Sequence, residues 1–368
     1  MGNFLYISNT YPKKSYGGRQ NLSNSIEKIL KKILKKRFYY FKIKKKIKKK
    51  NLSLILDTFQ GKIDGVNNNN KIKIINFIKK NKISTIFIDG SNLGLMCKYI
   101  KQFDSNIRIL VFFHNTEVKF FFDSFLINKT IHSLGVVIAN YFAERNSCKY
   151  SDEIITLTKK DMFQINKIYK KKAIYIFPLF AEDLLKNNEL INYKINSKKK
   201  YILFVGSAFY ANLNGIIWFV KKVLPKIKVN LAIVGYGFEK YKSFFKNKKI
   251  IFLGKSKNIR NWYKNSNFVV SPIFSGSGMK NKVAEAIMFG KKIVGTRETF
   301  VGYESIKRKI GHECDDEKSF TKVINDLVKS KEIYSSKVRN LYKKNFSFEA
   351  SLKKMQNIIY KFEKNKYL

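Results

Sequence analysis

Cysteine, histidine, proline and acidic side chains are all scarce in this sequence. Its 368 residues include three cysteines, three histidines and four prolines, and 26 acidic residues face 74 lysines and arginines. Cys97, Cys148 and Cys314 lie far apart and form no CxxC pair. This pattern excludes a disulfide framework and a structural zinc site, and it favours a cytoplasmic protein.

Long hydrophobic runs are also missing. The sequence opens on a short strand-like run rather than on the apolar stretch of a signal peptide, so no export is expected. Every apolar run is too short to span a bilayer. The formal net charge of +48 favours anionic partners, whether nucleotides, acidic phospholipids or nucleic acid, although a biased base composition would explain much of it.

Short apolar runs instead alternate with helix-prone segments along the whole chain, which predicts parallel α/β sheets. A polar stretch at residues 183–200 is typical of a connector. We therefore predict one Rossmann-like domain over residues 1–182, completed by a C-terminal helix at about 346–368, and a second over 200–335. The predicted strands are Phe4–Ser8, Leu52–Leu56, Thr85–Ile88, Ile107–Phe113, Glu153–Leu157, Tyr201–Val205, Asn230–Val234, Lys249–Leu253, Asn267–Ser271 and Lys292–Gly295.

The segment from Ser275 to Gly290 has the pattern of a phosphate-binding loop. Its glycines allow close approach of the backbone, and a helix starting near Met279 would point free N–H groups at an anion. Lys280 and Lys282 add positive charge at that point, and Glu285 is placed to accept hydrogen bonds from hydroxyls. A plain turn followed by a solvated helix would show the same pattern in isolation.

Other strand ends carry matching motifs: Phe204-Val-Gly-Ser with Asn212, Ile233-Val-Gly-Tyr-Gly, and Phe252-Leu-Gly. Their order and spacing resemble the donor-binding half of GT-B glycosyltransferases, in particular the retaining glycosyltransferase family four, over residues 201–330. The resemblance implies two doubly wound Rossmann-like domains facing a central cleft, with a C-terminal helix crossing back to the first domain.

The resemblance also implies roles for individual residues. Glu285 would bind the ribose, Lys280 and the loop amides would hold the diphosphate, and the segment after Gly254 would flank the base. Many family members carry a glutamate where this chain has Ser277, which bears on sugar recognition. The donor-binding residues predicted in this half are Gly206, Ser207, Asn212, Gly235, Gly254, Ser275, Gly276, Ser277, Gly278, Met279, Lys280 and Glu285.

In the first half the resemblance adds a second group of residues. The loop containing Gly17, Gly18 and Arg19 looks like the family's glycine loop beside the donor phosphate, although the glycines alone are equally consistent with a turn. His114 follows an apolar strand, where family members place a histidine near the transferred sugar. We therefore predict catalytic roles for His114, Lys280 and Glu285; a lone histidine is otherwise more often structural.

Residues 31–50 mix lysines with Phe38, Tyr39, Tyr40 and Phe41. One interpretation is an anionic membrane surface bound at headgroup level, which would make the protein peripheral to the inner face of the cell membrane. The other is a solvated helix and loop.

The sequence thus predicts an enzyme that moves a sugar, of the hexosyl type, from a nucleotide-sugar to a hydroxyl of a glycan or lipid-linked acceptor, in surface polysaccharide biosynthesis of the lipopolysaccharide, O-antigen or capsule kind. It predicts retention of configuration, no metal and no cofactor besides the co-substrate. The alternatives are a sugar-nucleotide epimerase of the same fold and a non-enzymatic nucleic-acid-binding protein; no nucleic acid is expected as a partner because no known recognition motif is present.

Overall fold

The computed structural model describes residues 2–9, 18–43, 53–185, 201–276, 278–330 and 332–364. The chain divides into two compact units. Unit 1 combines the residues up to Pro178 with those from Ser351 on, and unit 2 runs from Leu179 to Ala350.

Unit 1 alternates strands and helices. Its elements are β1 (Asn3–Asn9), α1 (Gly18–Leu34), β2 (Phe38–Ile43), α2 (Ser53–Phe59), α3 (Asn68–Lys80), β3 (Ile83–Asp89), α4 (Gly94–Phe103), β4 (Arg108–Phe113), α5 (Glu117–Asn128), α6 (Ile131–Tyr150), β5 (Glu153–Thr156), α7 (Lys159–Tyr169) and β6 (Tyr175–Ile176).

The six strands of unit 1 form one parallel sheet in the order β2-β1-β3-β4-β5-β6. The central strands are buried on both faces because helices cover both sides of the sheet, so they are apolar almost throughout. The strand order reverses between β1 and β3, and such a crossover leaves a crevice at the carboxyl ends of the strands. The loops that follow β3 and β4 lie at that edge.

Unit 2 repeats the pattern. Its elements are β7 (Tyr201–Val205), α8 (Tyr210–Lys222), β8 (Asn230–Val234), β9 (Ile250–Gly254), α9 (Ile259–Asn265), β10 (Val269–Ser271), α10 (Asn281–Met288), β11 (Ile293–Gly295), α11 (Lys307–Ile310), β12 (Gly311–Glu313), α12 (Glu317–Lys329) and α13 (Ser336–Asn345). They form a second parallel sheet in the order β12-β11-β10-β7-β8-β9, so the crossover lies between β7 and β10.

The last helix, α14 (Phe348–Lys364), starts at the end of unit 2 and packs into unit 1. Its apolar stripe includes Met355, Ile359 and Phe362, all buried. The guanidinium of Arg108, at the start of β4, lies 4.1 Å from the centre of the Phe362 ring, and Arg37 forms an ion pair with Glu363. The predicted return of the C-terminal helix to the first domain is confirmed.

Two features of the first half differ from the sequence prediction. The strand predicted at Leu52–Leu56 is wrong, because residues from Ser53 to Phe59 form a helix on which Leu56 is exposed. Conversely, Phe38–Ile43 is an edge strand within the basic stretch. Tyr39 and Phe41 pack edge-on against Phe77 of α3, which fixes this strand to the core.

Across the described ranges, no helix combines the length and apolarity that a membrane crossing requires.

Candidate active site

The glycine loop lies between β10 and α10, beside the β7/β10 crossover. Gly276 and Gly278 adopt φ values of 129° and 64°, a region that side chains other than glycine rarely enter. Ser275 precedes them, and Ser277 lies outside the described residues. The helix begins at Asn281, two residues later than the sequence predicts, with Lys280 as its N-cap. The loop therefore brings backbone and a lysine together at a helix N-terminus.

The Lys280 ammonium is held inside this loop. It donates to the carbonyl oxygen of Gly278 at 2.8 Å and to the Glu298 carboxylate at 3.1 Å. Both side chains are largely shielded from solvent, with exposed fractions of 11% and 15%. Next to it, the sulfur of the buried Met279 accepts from the N–H of Leu179 at 3.2 Å. The lysine is thus fixed next to the glycines, with a carboxylate as its counter-ion.

Lys282, which the sequence places beside Lys280 as a second charge, is not among the predicted donor-binding residues. Its ammonium donates to the Asn212 side-chain oxygen at 2.8 Å and lies 4.3 Å from the centre of the Phe204 ring. Burial, with the nearby charge of Lys280, lowers the pKa of Lys282 to about 7. The contact joins the first turn of α8 to helix α10 across 70 residues of chain, which sequence spacing cannot reveal.

Glu285 lies one turn further along α10 and is half-buried. One of its carboxylate oxygens accepts from the hydroxyl of Tyr263 at 2.6 Å. The Tyr263 ring is fully buried and stacks on Phe289, with centroids 5.0 Å apart and planes 7° apart. Burial raises the pKa of Glu285, and the Tyr263 hydrogen bond and the charge of Lys282 oppose that rise. The hydroxyl of the stacked Tyr263 ring therefore fixes the orientation of the Glu285 carboxylate.

The remaining predicted glycines bring the strand ends of unit 2 close together. Gly206 donates to the Val234 carbonyl at 3.0 Å, and Gly235 donates to the Gly254 carbonyl at 2.8 Å. A Cβ built on Gly235 would lie 1.5 Å from the Gly206 oxygen, so no larger residue fits there. The exposed Ser207 offers its carbonyl to the Asn212 amide at 2.9 Å. These loops line the same edge of the sheet as α10.

His114, in unit 1, immediately follows the buried strand β4. Its Nε2 lies 2.6 Å from a carboxylate oxygen of Asp89, which ends the adjacent strand β3. Since an ionised carboxylate only accepts, Nε2 carries the proton. His114 is 97% buried, and its Nδ1 has no hydrogen-bond partner among the described residues. In the neutral imidazole this arrangement makes Nδ1 an acceptor.

Asp89 is itself oriented by Tyr6 of β1, whose hydroxyl donates to the second carboxylate oxygen at 2.7 Å. Burial alone would raise the pKa of Asp89, but neighbouring His114 and the hydrogen bonds outweigh it, so this pKa lies below its ordinary value. Burial, together with Asp89, raises the pKa of Tyr6 well above its ordinary value. The three side chains form a fixed charge-bearing cluster.

Arg19 lies in the first turn of α1, which begins at Gly18; Gly17 falls outside the described residues. Its guanidinium donates to the Asn92 side-chain oxygen at 2.6 Å and lies 3.4 Å from Glu117. In this structure Arg19 is therefore held by groups that follow β3 and β4.

The fully buried Glu144 of α6 caps the N-terminus of α5. It accepts from the backbone N–H groups of Glu117 and Val118 at 2.7 and 3.2 Å, and from the hydroxyls of Ser91 and Tyr169 at 3.1 and 2.8 Å. Burial raises its pKa to about 8. The residue fixes the start of α5, three residues after His114.

The predicted residues thus form two groups, one in each unit. Within the described part of the chain, no three His, Cys, Asp or Glu side chains cluster in a way that could hold a metal ion. The chemistry that both groups offer is charge and hydrogen bonding from lysines, amides, carboxylates and one imidazole.

The sequence profile of the family described as Glycosyl transferases group 1 matches residues 199–330. This range contains the glycine loop, Lys282 and Glu285. No curated protein matches the chain by sequence.

Solved structures share the fold over nearly the whole chain. Sucrose-phosphate synthase from Thermosynechococcus elongatus has a TM-score of 0.71 at 12% identity, covering 99% of this chain and 100% of that chain. HepE from Anabaena, in complex with UDP, has a TM-score of 0.64 at 10% identity, covering 98% of this chain and 100% of that chain. WaaG, a glycosyltransferase involved in lipopolysaccharide biosynthesis, has a TM-score of 0.65 at 13% identity, covering 97% of this chain and 99% of that chain. The predicted fold class is thereby confirmed.

Proposed function

We propose, from the premise that this chain is a group 1 glycosyltransferase with the GT-B fold, that it transfers a hexosyl group from a nucleoside diphosphate sugar to a hydroxyl of a glycan or lipid-linked acceptor. The observation that carries the proposal is the group on α10: two lysines at the helix start and a carboxylate one turn later, beside the β7/β10 crossover. This is where a doubly wound sheet binds nucleotides.

Each residue of this group has a chemical task in the proposal. The Lys280 ammonium exchanges the Glu298 carboxylate for the diphosphate, while Gly276 and Gly278 allow the backbone to approach the phosphate oxygens. Lys282 supplies a second positive charge from the buried side. The Glu285 carboxylate, aimed by Tyr263, accepts hydrogen bonds from the ribose hydroxyls.

Catalysis follows from where charge develops. Breaking the sugar–phosphate bond leaves negative charge on the departing diphosphate, so ammonium and amide groups directed at it stabilise the transition state more than the ground state. This requires no metal in principle. We assign retention of configuration to the reaction.

In unit 1, His114 is the proposed contact to the transferred sugar. With Nε2 bound to Asp89, its Nδ1 accepts a hydrogen bond from a sugar hydroxyl. Arg19 is proposed as a second anion contact, in exchange for its present partners Asn92 and Glu117.

The relatives support a nucleotide-sugar donor and a polysaccharide setting. HepE structures contain UDP and, in a further complex, UDP-glucose, and WaaG acts in lipopolysaccharide biosynthesis. We propose the same general setting for this chain, surface polysaccharide assembly at the inner face of the membrane.

Residues 31–50 remain a proposed electrostatic contact to an anionic membrane surface. Of the aromatic residues in this stretch, Tyr39 and Phe41 pack into the core of unit 1, while Tyr40 is 55% exposed. The contribution proposed for this stretch is therefore the charge of its lysines rather than insertion of its aromatic rings.

A thermal-shift panel tests the donor proposal. UDP-, GDP- and ADP-sugars and the bare nucleotides are compared with RNA and DNA oligomers, because a ligand that binds only the folded state raises Tm. One nucleotide series should stabilise the protein. Stabilisation by oligonucleotides alone would contradict the proposal. The epimerase alternative is tested separately, by incubating the protein with the donor and no acceptor: a changed configuration of the sugar would indicate an epimerase.

Substitution then tests the residues. Lys280→Ala and Glu285→Ala should weaken nucleotide binding and turnover with the fold intact, whereas Lys292→Ala, a surface lysine paired with Glu332, should change neither. Unchanged kinetics in both site variants would remove those two residues from the site.

A further inference from the structure

The largest run of exposed apolar side chains in the described residues lies on the hairpin of α5 and α6. Five large apolar residues within thirteen positions face solvent here. Their exposed fractions are 42% for Phe122, 52% for Leu126, 51% for Ile127, 91% for Ile131 and 41% for Leu134. Single exposed apolar residues are ordinary, but a contiguous cluster on a protein surface marks a site of interaction.

The cluster sits on a turn whose geometry is well fixed. Helix α5 ends at Lys129, which adopts the left-handed conformation with φ 46°, and Thr130 caps α6 through a reciprocal pair of hydrogen bonds with Ser133. The two helices pack against each other. The backbone therefore holds Ile131 outward at the first position of α6 rather than letting it fold back onto the unit.

The outer face of α6 reverses the usual pattern of a surface helix. Its inner face buries Val137, Asn140 and Ala143. The opposite stripe carries Ile131 and Leu134, and then Ile138 and Tyr141 at helical spacing, where polar residues are normal. The same stripe ends in two exposed cations, Arg145 and Lys149. An apolar first half is thus followed by a basic second half.

Charge on this hairpin has one prevailing sign. Asp123 is the only acidic residue between positions 118 and 143, and it is paired with Lys119. Lys119 also lies 5.9 Å from the centre of the Phe122 ring, at the edge of the apolar cluster. Lys129 is exposed at the turn itself. The exposed Lys129 therefore adds positive charge at the apolar tip, Lys119 at its edge is neutralised by Asp123, and Arg145 and Lys149 follow further along α6.

We propose that the tip of the α5–α6 hairpin, residues 122–134, inserts into the surface of an anionic lipid bilayer. Apolar side chains with Lys129 among them, and with Arg145 and Lys149 further along α6, match the acyl boundary and the anionic headgroups above it. Ile131, at 91% exposure, occupies no groove of its own unit, and an acyl layer accommodates such a side chain without a matching pocket. The tip supplies an insertion that Tyr39 and Phe41 cannot supply, because both rings pack against Phe77 of α3.

Vesicle binding by the full chain tests the proposal. Flotation compares phosphatidylglycerol vesicles with phosphatidylcholine vesicles at low and high salt. We expect binding to the anionic vesicles that weakens with salt, and a loss of about tenfold or more in partitioning for Leu126→Gln/Ile131→Gln, since two apolar side chains no longer leave water. The control Ile72→Gln/Ile174→Gln alters two other exposed aliphatic residues of unit 1 and should bind like the unmodified chain.

A positional probe completes the test. The described cysteines are all buried, so an environment-sensitive dye can be attached at Ile131→Cys, with Ile72→Cys as its control. The dye at position 131 should shift to the blue on adding anionic vesicles, and the dye at position 72 should not. Full binding by the tip variant, which would leave the lysines of residues 31–50 as the contact, would overturn the proposal. So would an unresponsive dye at position 131, or self-association through the tip without vesicle binding.

Discussion

Removing the Tyr263 hydroxyl should selectively impair recognition of ribose. In Tyr263→Phe the ring keeps its stacking on Phe289, but Glu285 loses the 2.6 Å hydrogen bond that fixes its carboxylate. A hydrogen bond to a charged group contributes about 1.5–3 kcal/mol, so the free energy of unfolding should fall by an amount of this order. The fold itself should remain intact because no cavity is created around the ring.

The effect on binding follows from the freed side chain. If Glu285 must be ordered anew on binding, the cost is about 0.5–1.5 kcal/mol, which weakens nucleotide binding roughly two- to tenfold. The hydrogen bond from Tyr263 also lowers the pKa of Glu285. Its loss raises that pKa further, so the carboxylate becomes protonated at a higher pH than in the unmodified chain. The defect should therefore grow as the pH falls.

Isothermal titration calorimetry provides the assay. The nucleoside diphosphate that stabilises the protein best is compared with its 2′,3′-dideoxy analogue, which lacks the hydroxyls assigned to Glu285. Tyr263→Phe should weaken the ribonucleotide and leave the dideoxy analogue nearly unchanged. Equal weakening of both ligands would show that Tyr263 acts only through packing, and no weakening of either would refute the assignment. Glu285→Gln distinguishes an error about Tyr263 from an error about the site. If Glu285→Gln also leaves the preference for the ribonucleotide over the dideoxy analogue unchanged, Glu285 does not bind the ribose and the proposed donor site is wrong.

Three further predictions concern buried charges. Lys282, with a pKa of about 7, should lose its proton as the pH rises from about 6 to 8, so calorimetry should show nucleotide affinity falling over that range, and Lys282→Met should remove the dependence. Asp89→Asn should lower kcat with little change in donor KM in a transfer assay, since the amide no longer fixes which nitrogen of His114 carries the proton. Lys291→Met should destabilise the protein by about 3 kcal/mol or more in urea unfolding, because three carbonyls that accept from this ammonium at 2.7–2.9 Å lose their donor. The surface substitution Lys292→Met should lower the free energy of unfolding by no more than about 1 kcal/mol. Equal effects of the two substitutions would contradict the reasoning.

Periodicity predicted the fold well where strands are buried on both faces. Continuous apolar runs such as Tyr201–Val205 and Asn230–Val234 coincide with β7 and β8. It failed at the edges of the first sheet. The edge strand Phe38–Ile43 is only partly buried and sits in a lysine-rich run that masks its alternation, and the short apolar run after Leu52 fits a helix as well as a strand.

The residues on helix α10 were predictable because they share one local motif. Contacts between distant segments were not: Asn212 meets Lys282, and Tyr263 meets Glu285, through the arrangement of strands in the sheet rather than through spacing in sequence. A local cap is of the first kind: Asp316 caps α12, since its side chain accepts from the Ser319 N–H.

Because α14 belongs to unit 1 although it is the last element of the chain, the two units should mature in inverted order during synthesis. Unit 2 has all its strands before α14 leaves the ribosome, whereas unit 1, begun first, waits for Ile359 and Phe362 to close its core. Chimeras that exchange the donor-binding half should accordingly carry the native C-terminal segment with the N-terminal half. A reporter fused at the C-terminus should likewise leave Glu363 free to reach Arg37.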